Sequence, residues 1–450
     1  MNVEEIFASY RGAVPRYTSY PTAPHFADLN GAGIEKQALL DIETGEPVSL
    51  YVHVPFCDRL CWFCGCHTKH TLKYAPVAAY IGSLITEMQT VAKTAGRKLP
   101  LAHLHFGGGS PSMLCEEDFH RLSEALRENF DISDQTEISV EFDPSDVTEA
   151  TLRGAAVLGV TRASVGVQDF DSAVQKAINR PQTFEQTRDV IAALRGAGVG
   201  SVNIDALYGL PLQTRDRLEA TIDQVLTLRP DRIALFGYAH VPWVKKHQTM
   251  IREADLPGTL DRFHHAAYAA DMIANRGYDR IGIDHFALPD DDLAVAAHSG
   301  RLYRNFQGYT TDACRTLIGL GASAISFFGT SYVQNIVATK QYENAVQSGN
   351  LAGMRGVRLN MDDRVRAHII ERLMCDFALS FADLEDKFGY LARPYEAEAR
   401  ALAAADPHKL VETNEIGITI KPEARAFTRI VASWFDAYLD TGEVRYSKAV

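Results

Sequence analysis

The stretch SLYVHVPFCDRLCWFCGC, Ser49 to Cys66, joins an apolar run to a thiol cluster, and the rest of the chain is read outward from it. Its first half, SLYVHV, is short, rich in apolar residues and free of Asp, Glu, Lys and Arg, the texture of a buried strand. Its second half places four of the chain's seven cysteines at Cys57-x3-Cys61-x2-Cys64-x-Cys66. A structural zinc site usually pairs two close ligands with two more far along the chain. No second C-x2-C pair exists here, and the isolated Cys115, Cys314 and Cys375 read as small hydrophobes. Three thiolates on one tight loop suit three irons of a [4Fe–4S] cube and leave the fourth iron free for a small molecule. Cys57, Cys61 and Cys64 form that set. A single intervening residue is a poor bite for a further cube corner, so Cys66 stands outside it. Phe63, just before Cys64, is placed to shield one face of a cluster.

Downstream of this stretch, β-rich runs recur: LAHLHF, EISVEF, RASVGV, VNIDALY and RIALFGY. Between them apolar residues fall at helical spacing. Examples are Ile81, Leu84, Ile85 and Met88, then Val190, Ile191 and Leu194, then Leu218, Ile222, Val225 and Leu226. Roughly six strand–helix alternations predict an α/β fold of parallel units with right-handed crossovers. Six units are too few for a closed eight-stranded barrel; a partial barrel and an open doubly wound sheet both fit. In either, ligands gather at the C-terminal ends of the strands.

The flanks differ in texture. Residues 1–45 have no clear period and carry PRYTSYPTAPHF, an irregular arm. After about residue 360, DDRVRAHIIERLMCDFALSFADLEDKFG reads as helix, turn, helix, and LVETNEIGITIKPEARAFTRIVASWFDAYL as a hairpin feeding a final helix. That winged-helix outline has no basic stripe, which favours a capping role over DNA binding. A net charge of −12 over 450 residues also argues against nucleic acid as the main partner. The N-terminus lacks a basic region followed by an apolar core, and no apolar run approaches the ~20 residues that span a bilayer. The expectation is a cytoplasmic, monomeric enzyme, and in that compartment clustered thiols favour metal over disulfides.

Several polar residues lie just past the strand ends. Gly107 to Ser112, GGGSPS, follows the second β-run; glycines there let backbone approach a ligand closely, although a plain turn reads the same way. Glu141, Gln168, Arg180 and Asp205 recur at strand exits or nearby loops. Taken singly, each is explained by a solvent-facing position, but together they line one mouth.

The x3/x2 spacing with an aromatic before the third cysteine resembles the radical S-adenosylmethionine superfamily. With RYTSYPTA, YVHVPFC, FGGGSPS, SVGVQDF, NIDALYGLP, GIDHFALP and RNFQGYTT, the chain resembles the oxygen-independent coproporphyrinogen III oxidases over nearly its whole length. The resemblance implies a partial (β/α)6 TIM-like barrel over 46–360, an N-terminal arm at 1–45 that contacts the active site, and a small, mostly helical C-terminal domain over 361–450. It implies a [4Fe–4S] cluster on Cys57, Cys61 and Cys64 and two S-adenosylmethionine molecules. Their contacts carry over to Tyr51, Phe63, Gly108, Gly109, Ser110, Glu141, Gln168, Arg180, Asp205, Leu207, Ala239, Phe306, Gln307 and Ile325. Trp62 stands where the family commonly has tyrosine, which leaves the thiol spacing untouched.

The implied reaction converts two propionates of coproporphyrinogen III to vinyl groups without O2, giving protoporphyrinogen IX. A 5′-deoxyadenosyl radical takes a β-hydrogen, and the substrate radical then loses CO2 and one electron. The partners expected are that substrate, a low-potential electron donor and a terminal electron acceptor. Arg16, Tyr17, Ser19 and Tyr20 of the arm, with the loop Arg304 to Thr311, are the candidate substrate contacts, and Cys66 is the candidate catalytic thiol beside the cofactors. The alternative is a related tetrapyrrole radical enzyme or a haem chaperone. Cys66 and the RYTSYPT arm speak against the chaperone. A redox-sensing regulator would need a basic recognition face in 361–450, which the sequence lacks.

Overall fold

The structure, a computed structural model, describes residues 3–9 and 14–439. The tips of the 1–45 arm and of the 361–450 segment therefore lie partly outside the described residues. Six strands run parallel and in sequence order: β1 (Val48–Val54), β2 (Leu99–Gly108), β3 (Phe130–Phe142), β4 (Arg162–Gln168), β5 (Ser201–Tyr208) and β6 (Arg232–Gly237). Each leads into a helix: α1 (Ala75–Ala95), α2 (Glu116–Asn129), α3 (Glu149–Leu158), α4 (Phe184–Gly196), α5 (Arg215–Thr227) and α6 (Thr259–Asn275). The α/β class and the partial (β/α)6 barrel expected from the sequence are the observed fold.

Period-two alternation sorts the strand side chains between two faces. Leu104 and Phe106, Val140 and Phe142, Val165 and Val167, and Ile204 and Ala206 point outward and are buried under the helices. The helices answer with Ile81, Leu84 and Met88, Leu122, Ile191 and Leu194, and Leu218, Ile222 and Val225, all within the same apolar cluster. The other face turns into the barrel and is polar: His103 and His105, Ser139 and Glu141, Ser164 and Gln168, Asn203 and Asp205. Register lines these up across neighbouring strands, with Glu141 opposite Ser164 and Ser164 opposite Asn203. Thr148, Thr183 and Thr214 cap the N-termini of α3, α4 and α5 through their side chains.

The sheet is longer than the sequence reading expected. Among the described residues it has thirteen strands, because Leu317–Leu320 adds in parallel beside β1 and short antiparallel strands continue beyond both edges. These additions are two to six residues long, too short to display a period. Beyond them, Met361–Asp376 and Phe381–Phe388 are helices with a three-residue strand between, and Val411–Thr413 and Gly417–Ile420 form the expected hairpin. Their apolar cluster also takes in Ile6, Tyr17 and Tyr20 from the N-terminal segment. Among the described residues no helix is long and apolar enough to cross a membrane.

Candidate active site

The thiol loop leaves β1 at Val54 and is tied down by backbone on several sides. Phe56–Cys57 pairs in parallel with Lys69–His70. Trp62 N–H donates to Ile178 O and Asn179 Nδ2 to Leu60 O, both at 2.9 Å. Gly109 and Ser110 N–H donate to Val54 O and Phe56 O at 2.8 and 2.7 Å, so the glycine-rich stretch runs alongside the loop. A Cβ on Gly109 would stand 2.4 Å from Phe56 O; one on Gly108, at φ +106°, would stand 2.3 Å from the His53 ring. Only glycine permits so close an approach. Ser110 Oγ donates to Asp146 Oδ2 at 2.6 Å, which anchors the far end of the stretch.

Within the loop, burial and the neighbouring Cys64 and Cys61 push the Cys57 thiol up. Burial also pushes Cys61 up, against the pull of Arg180, whose Nη1 reaches Cys61 Sγ at 3.5 Å and Asp143 Oδ2 at 2.8 Å. The Cys66 amide donates to Cys64 Sγ at 3.4 Å, and the Cys66 side chain, by hydrogen bonding, holds Cys64 below the ordinary thiol range. Cys66 is the exposed member of the four. Among the described residues no three His, Cys, Asp or Glu side chains are grouped to clasp a single metal ion. A cube with one iron per thiolate asks instead for thiols spread around a space. Soft donors on one loop, with a guanidinium and an amide aimed at their sulfurs, fit such a group.

Inside the barrel mouth lies a polar pocket of ≈ 150 Å³ whose lining includes His105, Glu141 and Asp205, Arg162 and Arg232, and Asn203 and Gln307. Glu141 accepts from His105 Nε2 at 3.2 Å and from the Gly108 amide at 3.1 Å. Burial alone would raise its carboxyl; His105 and that amide bring it below the usual range. Asp205 accepts from Ser164 Oγ at 3.0 Å and Asn203 Nδ2 at 2.8 Å, and burial with the nearby Glu141 pushes it up. Tyr51 stacks on His105 at 5.8 Å and shares a 3.0 Å hydrogen bond with His53 Nδ1. Gln168, at φ +68°, sits with Arg180 over Gly166, where a Cβ would meet Arg180 Nη2 at 3.0 Å and Gln168 Nε2 at 3.3 Å. Arg180 Nε is buried with no hydrogen-bond partner among the described residues.

The remaining positions come from other elements. Phe63 packs against the small apolar cluster that contains Leu207 and Tyr238. The Ala239 carbonyl accepts from Gln248 Nε2 at 3.2 Å. Phe306 and Gln307 form the turn between Tyr303–Asn305 and Gly308–Thr310, with Phe306 edge-on to Tyr332 at 5.9 Å. Ile325 opens a strand antiparallel to Leu317–Leu320.

A second, larger cavity of ≈ 510 Å³ adjoins the polar pocket; Phe236 and His285 line both. Its size lies within the ~300–1,000 Å³ typical of organic-ligand clefts. Arg16, Arg262, Arg280, Arg304, Arg425 and Arg429 line it, against only two carboxylates, Asp284 and Glu423. Burial and the charge of Arg16 push Arg429 down to about 10. Arg304 Nε and Nη1 and Arg262 Nε are buried without a partner among the described residues. Unsatisfied guanidinium donors crowded together make a site for carboxylates.

Of the four arm positions, Arg16 lines this cavity, with its Nη2 donating to Gly237 O at 2.6 Å. Tyr17, Ser19 and Tyr20 are instead buried with their polar groups engaged inside the protein. Tyr17 OH donates to Asp436 Oδ2 (2.9 Å), Ser19 Oγ to Pro21 O (3.1 Å), and Tyr20 OH accepts from the Ala437 amide (3.0 Å). The sequence reading missed Arg262 and Arg429 altogether. They lie far from one another and from Arg16 along the chain, and no local motif announces them.

A parallel β/α sheet that carries three thiols on the loop after its first strand defines a radical S-adenosylmethionine catalytic domain, and residues 51–225 match the profile of the Radical SAM superfamily. The chain is 48% identical over 440 residues to an oxygen-independent coproporphyrinogen III oxidase of Cereibacter sphaeroides, covering 97% of this chain and 96% of that one. It is 39% identical to the enzyme of the same name in Escherichia coli, covering 96% and 95%. It also superposes on the solved structure of the Escherichia coli coproporphyrinogen III oxidase HemN, described as a radical SAM enzyme, with a TM-score of 0.89, 39% identity and coverage of 94% and 97%. The chain belongs to the family of oxygen-independent coproporphyrinogen III oxidases.

Proposed function

We propose that this chain decarboxylates two propionates of coproporphyrinogen III to vinyl groups, yielding protoporphyrinogen IX without O2. Membership of the family supports a [4Fe–4S] cluster and S-adenosylmethionine as its cofactors. Cys57, Cys61 and Cys64 would hold the cluster. Tyr51, Phe63, Gly108, Gly109, Ser110, Glu141, Gln168, Arg180, Asp205, Leu207, Ala239, Phe306, Gln307 and Ile325 would hold two S-adenosylmethionine molecules. When bound, these cofactors supply a radical that removes the β-hydrogen of a propionate. The protein's own task is to orient substrate and cofactors and to keep side reactions out. Arg16, Arg262, Arg304 and Arg429 would grip the propionates, and Cys66 would act beside the cofactors without ligating iron.

The observation that carries this reading is the shared wall. Phe236 and His285 line both a pocket that carries Glu141 and Asp205 beside Arg162, Arg232 and amides and a cavity rich in guanidiniums, so a cofactor held in the one would lie next to a tetrapyrrole held in the other. The reading also includes a cytoplasmic monomer, a low-potential electron donor and a terminal acceptor. It keeps a division into a 1–45 arm, a 46–360 catalytic domain and a 361–450 cap. Anaerobic reconstitution with iron, sulfide and S-adenosylmethionine, followed by mass analysis of the porphyrin, tests it. A product two CO2 units lighter, with two vinyl groups, is expected. Tight haem binding with no turnover would instead support the chaperone reading.

A further inference from the structure

The segment after β6 folds back onto the thiol loop and grips it through backbone carbonyls. Gln248, wholly buried, donates from Nε2 to Phe63 O at 2.9 Å and to Ala239 O at 3.2 Å, while its Oε1 accepts from the Val241 amide at 2.6 Å. The next side chain back, His247, bonds Cys64 O through Nε2 at 2.8 Å. Lys245 Nζ donates to Cys66 O at 3.0 Å. Three of the four carbonyls from Phe63 to Cys66 are thus held from one short segment more than 170 residues away. With its carbonyls pinned to the clamp, the turn presents its amide to sulfur, and the Cys66 N–H points at Cys64 Sγ.

We infer that Gln248, His247 and Lys245 are positioning residues that set the reduction potential and the iron retention of the cluster. The inference rests on the reading that Cys57, Cys61 and Cys64 hold a [4Fe–4S] cluster. Its physical basis is general. N–H···S bonds and nearby positive charge favour the reduced, more negative cluster and so raise its potential, and partners behind the ligands hold those ligands in place. Gln248 orders the turn that aims the Cys66 amide, and Lys245 adds a cation beside that turn.

The experiment uses the full chain, reconstituted anaerobically, and follows the reduced cluster by electron paramagnetic resonance during redox titration. Gln248→Leu keeps the side-chain volume and removes all three hydrogen bonds. It should lower the midpoint potential and speed iron loss to a chelator by about tenfold, the lower end of what outer-shell partners usually contribute to metal affinity. Lys245→Met should lower the potential as well, and Lys245→Arg should restore it. Should Gln248→Leu fail to fold by circular dichroism, Lys245→Met and His247→Phe carry the test alone. Unchanged potential and unchanged iron loss in the folded variants would overturn the inference. A wild-type chain that takes up no four-iron cluster would instead overturn the reading beneath it, and the two failures are separable.

Discussion

Two neighbouring cavities meet at Phe236 and His285 and differ in charge. The smaller balances Glu141 and Asp205 against Arg162 and Arg232 among amides and hydroxyls, and the larger holds six arginines against two carboxylates. The balanced one suits a ligand bearing charges of both signs and hydroxyl groups; the other suits a ligand bearing several carboxylates. The contrast teaches how a single strand-end surface can offer two differently charged sites. The acidic side chains come from β3 and β5, inside the barrel. The six arginines of the larger cavity come from the arm, α6, the Asp279–Ile281 and Tyr303–Asn305 strands and the C-terminal region, all outside the six parallel strands. In the proposed reading, cofactor chemistry would sit on those strands and substrate recognition on the elements around them.

The most severe way to break the comparison is to remove the cluster side. Cys61→Ser should abolish the iron–sulfur absorption and all S-adenosylmethionine cleavage, and full iron content in that variant would sink the ligand assignment. Cys66→Ser should separate the two sides: iron and spectrum remain, while porphyrinogen turnover is lost. Retained turnover would reduce Cys66 to a packing residue, and lost iron would refute the three-thiol set. On the arginine side, Arg304→Met keeps the aliphatic stem but removes a charged donor set. A charge-assisted hydrogen bond is worth ~1.5–3 kcal/mol, so KM for the porphyrinogen should rise roughly ten- to a hundredfold. S-adenosylmethionine binding, measured separately, should stay as it was.

The smaller pocket answers to the converse variant. Asp205→Ala should weaken S-adenosylmethionine by ~1–3 kcal/mol, about five- to a hundredfold, with iron content unchanged. If calorimetry finds wild-type affinity, Asp205 merely satisfies Ser164 and Asn203. The smallest effect marks the edge of the cavity. Tyr17→Phe removes one hydrogen bond to Asp436 and should cost about 1 kcal/mol of stability with KM untouched. A large rise in KM would place Tyr17 at the substrate after all.

Much of the barrel was legible because its signals are local. A strand shows its period within six residues and a helix within two turns, which is why β1 to β6 and helices α1, α4 and α5 could be read directly. The thiol loop was legible for the same reason, since a chelate needs its donors within a few residues of each other. The short strands beyond Leu317–Leu320 escaped, because two to six residues toward a sheet edge take their conformation from the neighbour they pair with. The arm was readable as irregular, but its residues part company in space. Arg16 turns to the cavity, whereas Tyr17 and Tyr20 turn to the C-terminal core and Ser19 bonds Pro21 O within the arm.

The sequence by itself determined the fold class and the family and put Cys57, Cys61 and Cys64 on one short loop, each of which rests on neighbours along the chain. Only the tertiary structure decided that Arg16, Arg262, Arg304 and Arg429 share one cavity, that Gln248 grips the loop of Cys64, and that a charge-balanced pocket and a basic cavity share a wall. Those are meetings of residues separated by tens to hundreds of positions. The packing of α6, the arm and the C-terminal region against the barrel brings them about, and no local pattern encodes it.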